Sequence, residues 1–309
     1  MLNKILYYVV LMPFAHLPMP ILYGISDFFY LILLTFFPYR KEVIIRNLDR
    51  CYPELSKKEK RKLMRKNYFH LSNILAEGIK NLSISKNRLQ KRFVIDNVEI
   101  FDKFFEEGKS VIIASSHYSN WEYLITVQNL AIKQRAIGIG KPLSKKFMNR
   151  KINALRERNG MKVVSAKNYK EEITRRMEEG ELMAILALAD QAPSRKNAYW
   201  TKFYDKETSW TFGPEYMAHQ FDFPVVFLKT KRIKRGYYSS EASIITAEPT
   251  KEPYGSITET YVGLMEQQIK EKPEYWLWTH KRFRHETPEN LDEVKQKHRE
   301  HFYKRFGKI

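Results

Sequence analysis

The sequence predicts an α/β domain around a mixed, largely parallel sheet, preceded by an N-terminal membrane helix or hairpin. Three observations carry this. Short apolar, β-branched runs alternate with amphipathic stretches from about residue 92 to 271. One of these runs, "SVIIAS", is apolar without alternation, as a strand covered on both faces must be. The first forty residues carry almost no charge. The chain therefore divides into an anchoring segment at 1–40, an α/β domain at 41–290 and a basic tail at 291–309.

The anchoring segment, "ILYYVVLMPFAHLPMPILYGISDFFYLILLTFFPY", has Asp27 as its one charge and is broken by Pro13, Pro18 and Pro20. At about 1.5 Å per residue, Ile21 to Phe37 is close to the length of a membrane crossing. A bare carboxylate at mid-membrane is costly, so Asp27 must be protonated, shielded or shallow. Either a single span or a helix lying in the interface fits. A secretory signal fits poorly, since no small-residue cleavage site follows the apolar run. Arg40, Lys41, Arg46 and Arg50 come next, which places the main domain on the cytoplasmic side of a membrane.

Residues 54–90 are helical by period, with Leu63, Tyr68, Leu71, Ile74 and Leu75 as one buried stripe. "RFVIDNV" is a strand and "EIFDKFFEEGK" a short helix stopped at Gly108. Strands follow at 110–115, 135–140, 161–166, 182–191, 224–233 and 241–248. Between and after them lie helices at 121–132, 144–158, 168–179 and 256–271. The tail, "VKQKHREHFYKRFGKI", is either a surface helix near anionic lipid or a solvated end.

The net charge of +19 favours anionic partners, whether a phosphorylated lipid, an acidic protein or a membrane surface. No zinc-finger, RNA-binding or helix-turn-helix pattern accompanies it, so nucleic acid is not the expected partner. The single cysteine, Cys51, excludes an intrachain disulfide and a thiolate metal cluster. No required metal or cofactor is expected.

Chemistry concentrates in "SSHYSNWE", at the carboxyl end of the 110–115 strand, where open α/β sheets gather reactive groups. His117 is suited to accept a proton near neutral pH, and Glu122 is the nearest carboxylate to orient it. The alternative is a capping box, with Ser119 capping the helix and Glu122 closing it. No nucleophile-elbow serine is present, so direct attack by a substrate hydroxyl needs the fewest assumptions.

A histidine, four residues and an acid in this setting resembles the lysophospholipid acyltransferase superfamily. The fuller string is similar to the lipid A biosynthesis acyltransferases, the secondary lauroyl and myristoyl transferases. "AIGIGKPLSKKFMNRKINALRERNG", "ALADQAP", "TFGPEYMA" and "PEYWLWTHKRFR" resemble that family's later blocks, in the expected order. Tyr118 and Ser119 depart from it, since the family often has glycine there, and so does the Arg158–Asn159–Gly160 element.

The resemblance implies a glycerolipid-acyltransferase-like fold at the cytoplasmic face of a bacterial inner membrane. It implies transfer of an acyl chain from acyl carrier protein to an acyl-chain hydroxyl of a lipid A precursor. His117 is then the general base and Glu122 its support. Arg158 is the oxyanion candidate, with phosphate binding or a surface ion pair as its alternatives. Asn120, Trp121, Lys141, Arg150, Asp190, Gln191, Lys281 and Arg282 are the candidate substrate contacts, with helix capping the competing role for Asp190. Trp121 and Leu124 are candidates for an acyl groove. His280 is expected to be structural, and Gly160 to make a turn. Another glycolipid or lysolipid acceptor, acyl-CoA as donor, and a non-enzymatic basic scaffold are the competing functions.

Overall fold

The computed structural model describes residues 2–36, 38–140, 142–195 and 198–307. Its centre is a seven-stranded sheet. In chain order the strands are β1 (Phe93–Asp96), β2 (Val111–Ser115), β3 (Arg135–Gly140), β4 (Lys162–Ser165) and β5 (Met183–Leu188). A separate hairpin, β6 (Ala198–Phe203) and β7 (Lys206–Thr211), interrupts them before β8 (Val225–Lys234) and β9 (Tyr237–Thr246) complete the sheet. The spatial order is β1-β9-β8-β2-β5-β3-β4, parallel throughout except where β9 runs against β8. The α/β class and the mixed, mostly parallel sheet are therefore as the sequence predicts.

All five residues of β2 are buried. Ile112 and Ala114 join the core on one face, Val111 and Ile113 that on the other, so period-2 side chains feed two hydrophobic layers from one apolar run. The 54–90 stretch is two helices, Lys57–Asn81 and Lys86–Arg92, not one. Its stripe holds at Leu63, Tyr68 and Ile74, but Leu75 points to solvent. The β6–β7 hairpin is absent from the sequence prediction. Its turn is Tyr204–Asp205, both at positive φ (50° and 57°), a two-residue geometry usually marked by Asn-Gly. Without glycine there, the local signal is missing.

The apolar N-terminal segment folds back onto the domain. Its main helix is Met19–Thr35, 17 residues long. Among the described residues, no helix is long and apolar enough to cross a membrane. Phe37 itself lies outside the described residues. Asp27 is shielded: Arg235, beside the β8–β9 turn, grips it with Nη2–Oδ1 at 2.5 Å and Nη1–Oδ2 at 3.1 Å. Lys80 adds hydrogen bonds to the carbonyls of Ala15 and Leu17. The outer side leaves Ile21, Phe28, Phe29, Leu31 and Phe36 exposed.

The basic tail is a helix, Leu291–Phe306, pinned by Phe302, which is 1% exposed against Phe212, Tyr254 and His219.

Candidate active site

Strand register builds the centre of the site. β2 and β5 are adjacent and parallel, with Ser115 opposite Leu188. His117 and Asp190 each lie two residues further on, at the same end of neighbouring strands about 4.8 Å apart. Their side chains meet there. Nδ1 of His117 is 2.7 Å from Asp190 Oδ1, and the His117 amide donates to Oδ2 at 3.0 Å. Trp276 Nε1 donates to Oδ2 at 2.9 Å. On the other side of the ring, Gln191 Nε2 is 3.2 Å from His117 Nε2.

When the ring is neutral, these contacts favour the tautomer with its proton on Nδ1. Asp190 takes the proton side of the ring at Nδ1, and a Gln191 amide donor requires a lone pair at Nε2. Asp190 is 3% exposed, whereas His117 keeps 17% of its side chain open. Burial acts to raise the Asp190 pKa. The attraction of His117, with hydrogen bonds from its ring, Trp276 and the His117 amide, outweighs burial and holds the carboxylate below its usual range. The site thus has an ionised, enclosed acid behind a ring whose second nitrogen faces outward.

Glu122 occupies a different position from the one expected. It forms an ion pair with Arg156, Oε1 to Nη2 at 2.7 Å, with both side chains about a quarter exposed (26% and 28%). Neither ring nitrogen of His117 bonds to it. The reason is the helix start. Ser119 sits at φ 57° and gives its amide to the carbonyl of Tyr275, so it cannot cap. The helix Trp121–Ala131 is capped by Asn120, whose Oδ1 accepts from the Tyr123 amide at 2.9 Å. Glu122 is then in the first turn, directed to the helix Lys146–Glu157 that carries Arg156. The Ser119–Glu122 capping box does not form.

Several candidate substrate contacts have other surroundings. Asn120 is fully buried and acts as the cap. Trp121 flanks His117, the ring centroids 5.4 Å apart, while Leu124 is in the core. Arg158 is exposed and donates to the carbonyl of Leu82 at 3.1 Å, so the arginine beside Glu122 is Arg156, two residues earlier. Arg282 is 1% exposed and stacks 4.0 Å over Trp210. Burial, only partly offset by the charge of Asp190, lowers its pKa to about 10. Lys281 is exposed, and Arg150 is exposed beside Lys4, Tyr8, Phe147 and Lys151, where a groove of about 460 Å³ opens. Lys141 lies outside the described residues.

Trp276 is the site residue the sequence reading missed. It arrives on a strap, residues 274–280, that two asparagines pin by its carbonyls. Asn67 Nδ2 donates to Glu274 and Trp276, and Asn47 Nδ2 to Trp278 and His280. The tryptophan-rich "PEYWLWTH" string is visible in the sequence, but not which of its two buried tryptophans reaches Asp190. His280 Nε2 accepts from the Ala192 amide at 3.2 Å, and burial lowers its pKa to about 4. Gly160 makes the expected turn at φ 104°, where a Cβ would lie 2.4 Å from Asn129 Nδ2. Among the described residues, no group of three or more His, Cys, Asp or Glu is placed to hold a metal ion.

An apolar cavity of about 200 Å³ opens beside this centre, lined by Ile139, Tyr169, Leu186, Leu188, Ala189 and Met217 among others. Leu188 and Ala189 immediately precede Asp190, so the cavity adjoins the segment that meets His117.

Residues 1–285 match the family model described as bacterial lipid A biosynthesis acyltransferase. The chain is 22% identical over 286 residues to the lipid A biosynthesis palmitoleoyltransferase of Escherichia coli K12, covering 89% of each protein. It is equally similar to a lipid A biosynthesis acyltransferase of Shigella flexneri. To the Escherichia coli K12 lipid A biosynthesis lauroyltransferase it is 21% identical over 276 residues, 87% of each. With the model match spanning nearly the whole chain, this protein belongs to the bacterial lipid A biosynthesis acyltransferase family.

Proposed function

We propose that the protein transfers a fatty acyl chain from the thioester of acyl carrier protein to an acyl-chain hydroxyl of a lipid A precursor, with His117 as general base. The observation that carries this is the outward Nε2 of an imidazole whose Nδ1 is fixed by buried Asp190. The acceptor hydroxyl displaces the Gln191 amide from Nε2 and gives up its proton there. Its oxygen attacks the thioester carbonyl, a C–O bond forms, and the tetrahedral intermediate collapses with loss of the C–S bond. The imidazolium returns the proton to the departing thiolate, so atoms and charge balance. Asp190 fixes the tautomer and stabilises the imidazolium without taking the proton. Glu122 serves as half of an ion pair with Arg156 next to Trp121, not as the ring's hydrogen-bond partner.

The apolar cavity beside Asp190 takes the end of an acyl chain in this reading, and the outer face of the Met19–Thr35 helix sits in the membrane interface. The excess of 54 Lys and Arg over 35 Asp and Glu supports an anionic headgroup, an acidic carrier protein and the cytoplasmic face of the inner membrane as partners. The test is acyl transfer by purified protein in detergent, with the lipid product weighed by mass spectrometry. A product heavier by one acyl chain, formed from acyl carrier protein thioester and absent with His117→Ala, is expected. No mass gain on a lipid A precursor with either acyl carrier protein or acyl-CoA would overturn the reading.

A further inference from the structure

Glu77 lies within the helix Lys57–Asn81 and has no exposed surface. A buried carboxylate needs donors, and three side chains from three separate elements supply them. Tyr23 OH donates to Oε1 at 2.9 Å. Tyr238 OH and Asn120 Nδ2 both donate to Oε2, each at 2.6 Å. Tyr23 belongs to the N-terminal helix and Tyr238 to β9. Asn120 lies between His117 and Glu122 and caps the helix that follows the base.

The two ends of the Asn120 amide are committed in opposite senses. Oδ1 accepts from the Tyr123 amide while Nδ2 donates to Glu77. A reversed amide would put its oxygen against the carboxylate and its NH2 against an N–H, losing both bonds. The Glu77 charge therefore sets the orientation of the cap, and the cap sets where the His117 turn enters the helix. All three partners can donate to the ionised carboxylate, and these bonds act against the burial that pushes the Glu77 pKa up.

We propose that Glu77 is a positioning residue for the catalytic turn, and that Tyr23 makes the N-terminal helix part of the catalytic structure and not only an anchor. The helix has other attachments, through Asp27–Arg235 and through Lys80 to the Ala15 and Leu17 carbonyls. Removing the Tyr23 hydroxyl thus leaves the helix docked while weakening the ionised state of Glu77 and its bond to Asn120. The kinetic side of this inference rests on the proposed acyl transfer, but its structural side does not.

The experiment compares wild type with Tyr23→Phe, Tyr238→Phe and Glu77→Gln in the full chain. It measures thermal melting, hydrogen exchange at the Tyr123 amide, and kcat and KM for the lipid acceptor. Tyr23→Phe is expected to melt near wild type and to exchange Tyr123 about tenfold faster, the size of one charge-assisted hydrogen bond. Its kcat falls several-fold with KM held. Tyr238→Phe behaves alike, and Glu77→Gln, with the shape kept but the charge gone, loses more of kcat. If Glu77→Gln does not fold, the two tyrosine variants decide the matter. Wild-type exchange at Tyr123 in both tyrosine variants, or unchanged kcat in an active enzyme, overturns the proposal. If wild type transfers no acyl chain, the acyl-transfer reading fails, and the exchange data still decide the role of Glu77.

Discussion

Asp190 and Glu122 are both carboxylates close to one histidine, and the fold treats them in opposite ways. Asp190 is enclosed, takes three hydrogen bonds from His117 and Trp276, and is kept ionised against the cost of burial. Glu122 remains about a quarter exposed and is matched by a single arginine on another helix. The difference shows which distance matters. Glu122 is five residues from His117 along the chain but is carried off by the helix it begins. Asp190 is 73 residues away and is delivered by strand register. Orienting a general base requires a fixed, desolvated partner. Only the second arrangement supplies one.

Substitutions test that comparison, beginning with the largest effect. His117→Ala removes the base and should lower kcat by about 10⁴ in the mass-detected transfer assay, with the fold intact by circular dichroism. Asp190→Asn keeps the shape but releases the tautomer, and should cost about 10³ in kcat. The same change should move the His117 ring proton in nitrogen-detected NMR, which a purely structural asparagine would not do. Glu122→Gln and Arg156→Met each leave a half-buried charge unpaired, and should cost about 10 to 100-fold, with the double variant no worse than the sum of the two in free energy. Arg158→Ala and Lys281→Ala, at exposed positions, should leave kcat within about twofold, since neither stabilises the reacting atoms in this arrangement.

A smaller effect concerns acid stability. Burial, with help from the charge of Arg232, lowers the His70 pKa to about 3, and burial lowers that of His280 to about 4. Below about pH 6.5 the unfolded chain takes up protons that these folded histidines refuse. Stability should therefore fall as pH drops from about 6.5 toward 4, by up to about 1.4 kcal/mol per pH unit for each ring. Asp190, with its lowered pKa, adds a further loss only in more acidic solution, as pH falls through the carboxylate range. Denaturant melts between pH 7 and 4 check the slope, and His70→Phe should reduce it.

Much of this architecture was legible in the residues, because the determining physics is local. Val111–Ser115 reads as a covered strand from its unbroken apolar run, and Gly108 stops the preceding helix at φ 71°. The position of His117 at a strand end follows from the same reasoning. The partner of His117 was not legible, because register between β2 and β5 is set by the whole sheet and leaves no mark near residue 117. Glu77 and Trp276 were hidden for the same reason: each acts through contacts more than 40 residues distant in the chain. The N-terminal segment was legible on one side only. Its hydropathy describes the outer face of the helix, while Tyr23 and Asp27 on the inner side bind Glu77 and Arg235. Only the domain could reveal that the single charge had a partner.

The most direct test of the account is the turnover of Asp190→Asn with a lipid A precursor and acyl carrier protein thioester, measured beside wild type on protein shown to be folded. A loss of about a thousandfold, with acceptor binding retained, is the predicted result. Turnover within a factor of about two of wild type would contradict it, because an imidazole that works without its buried acid is not held by it.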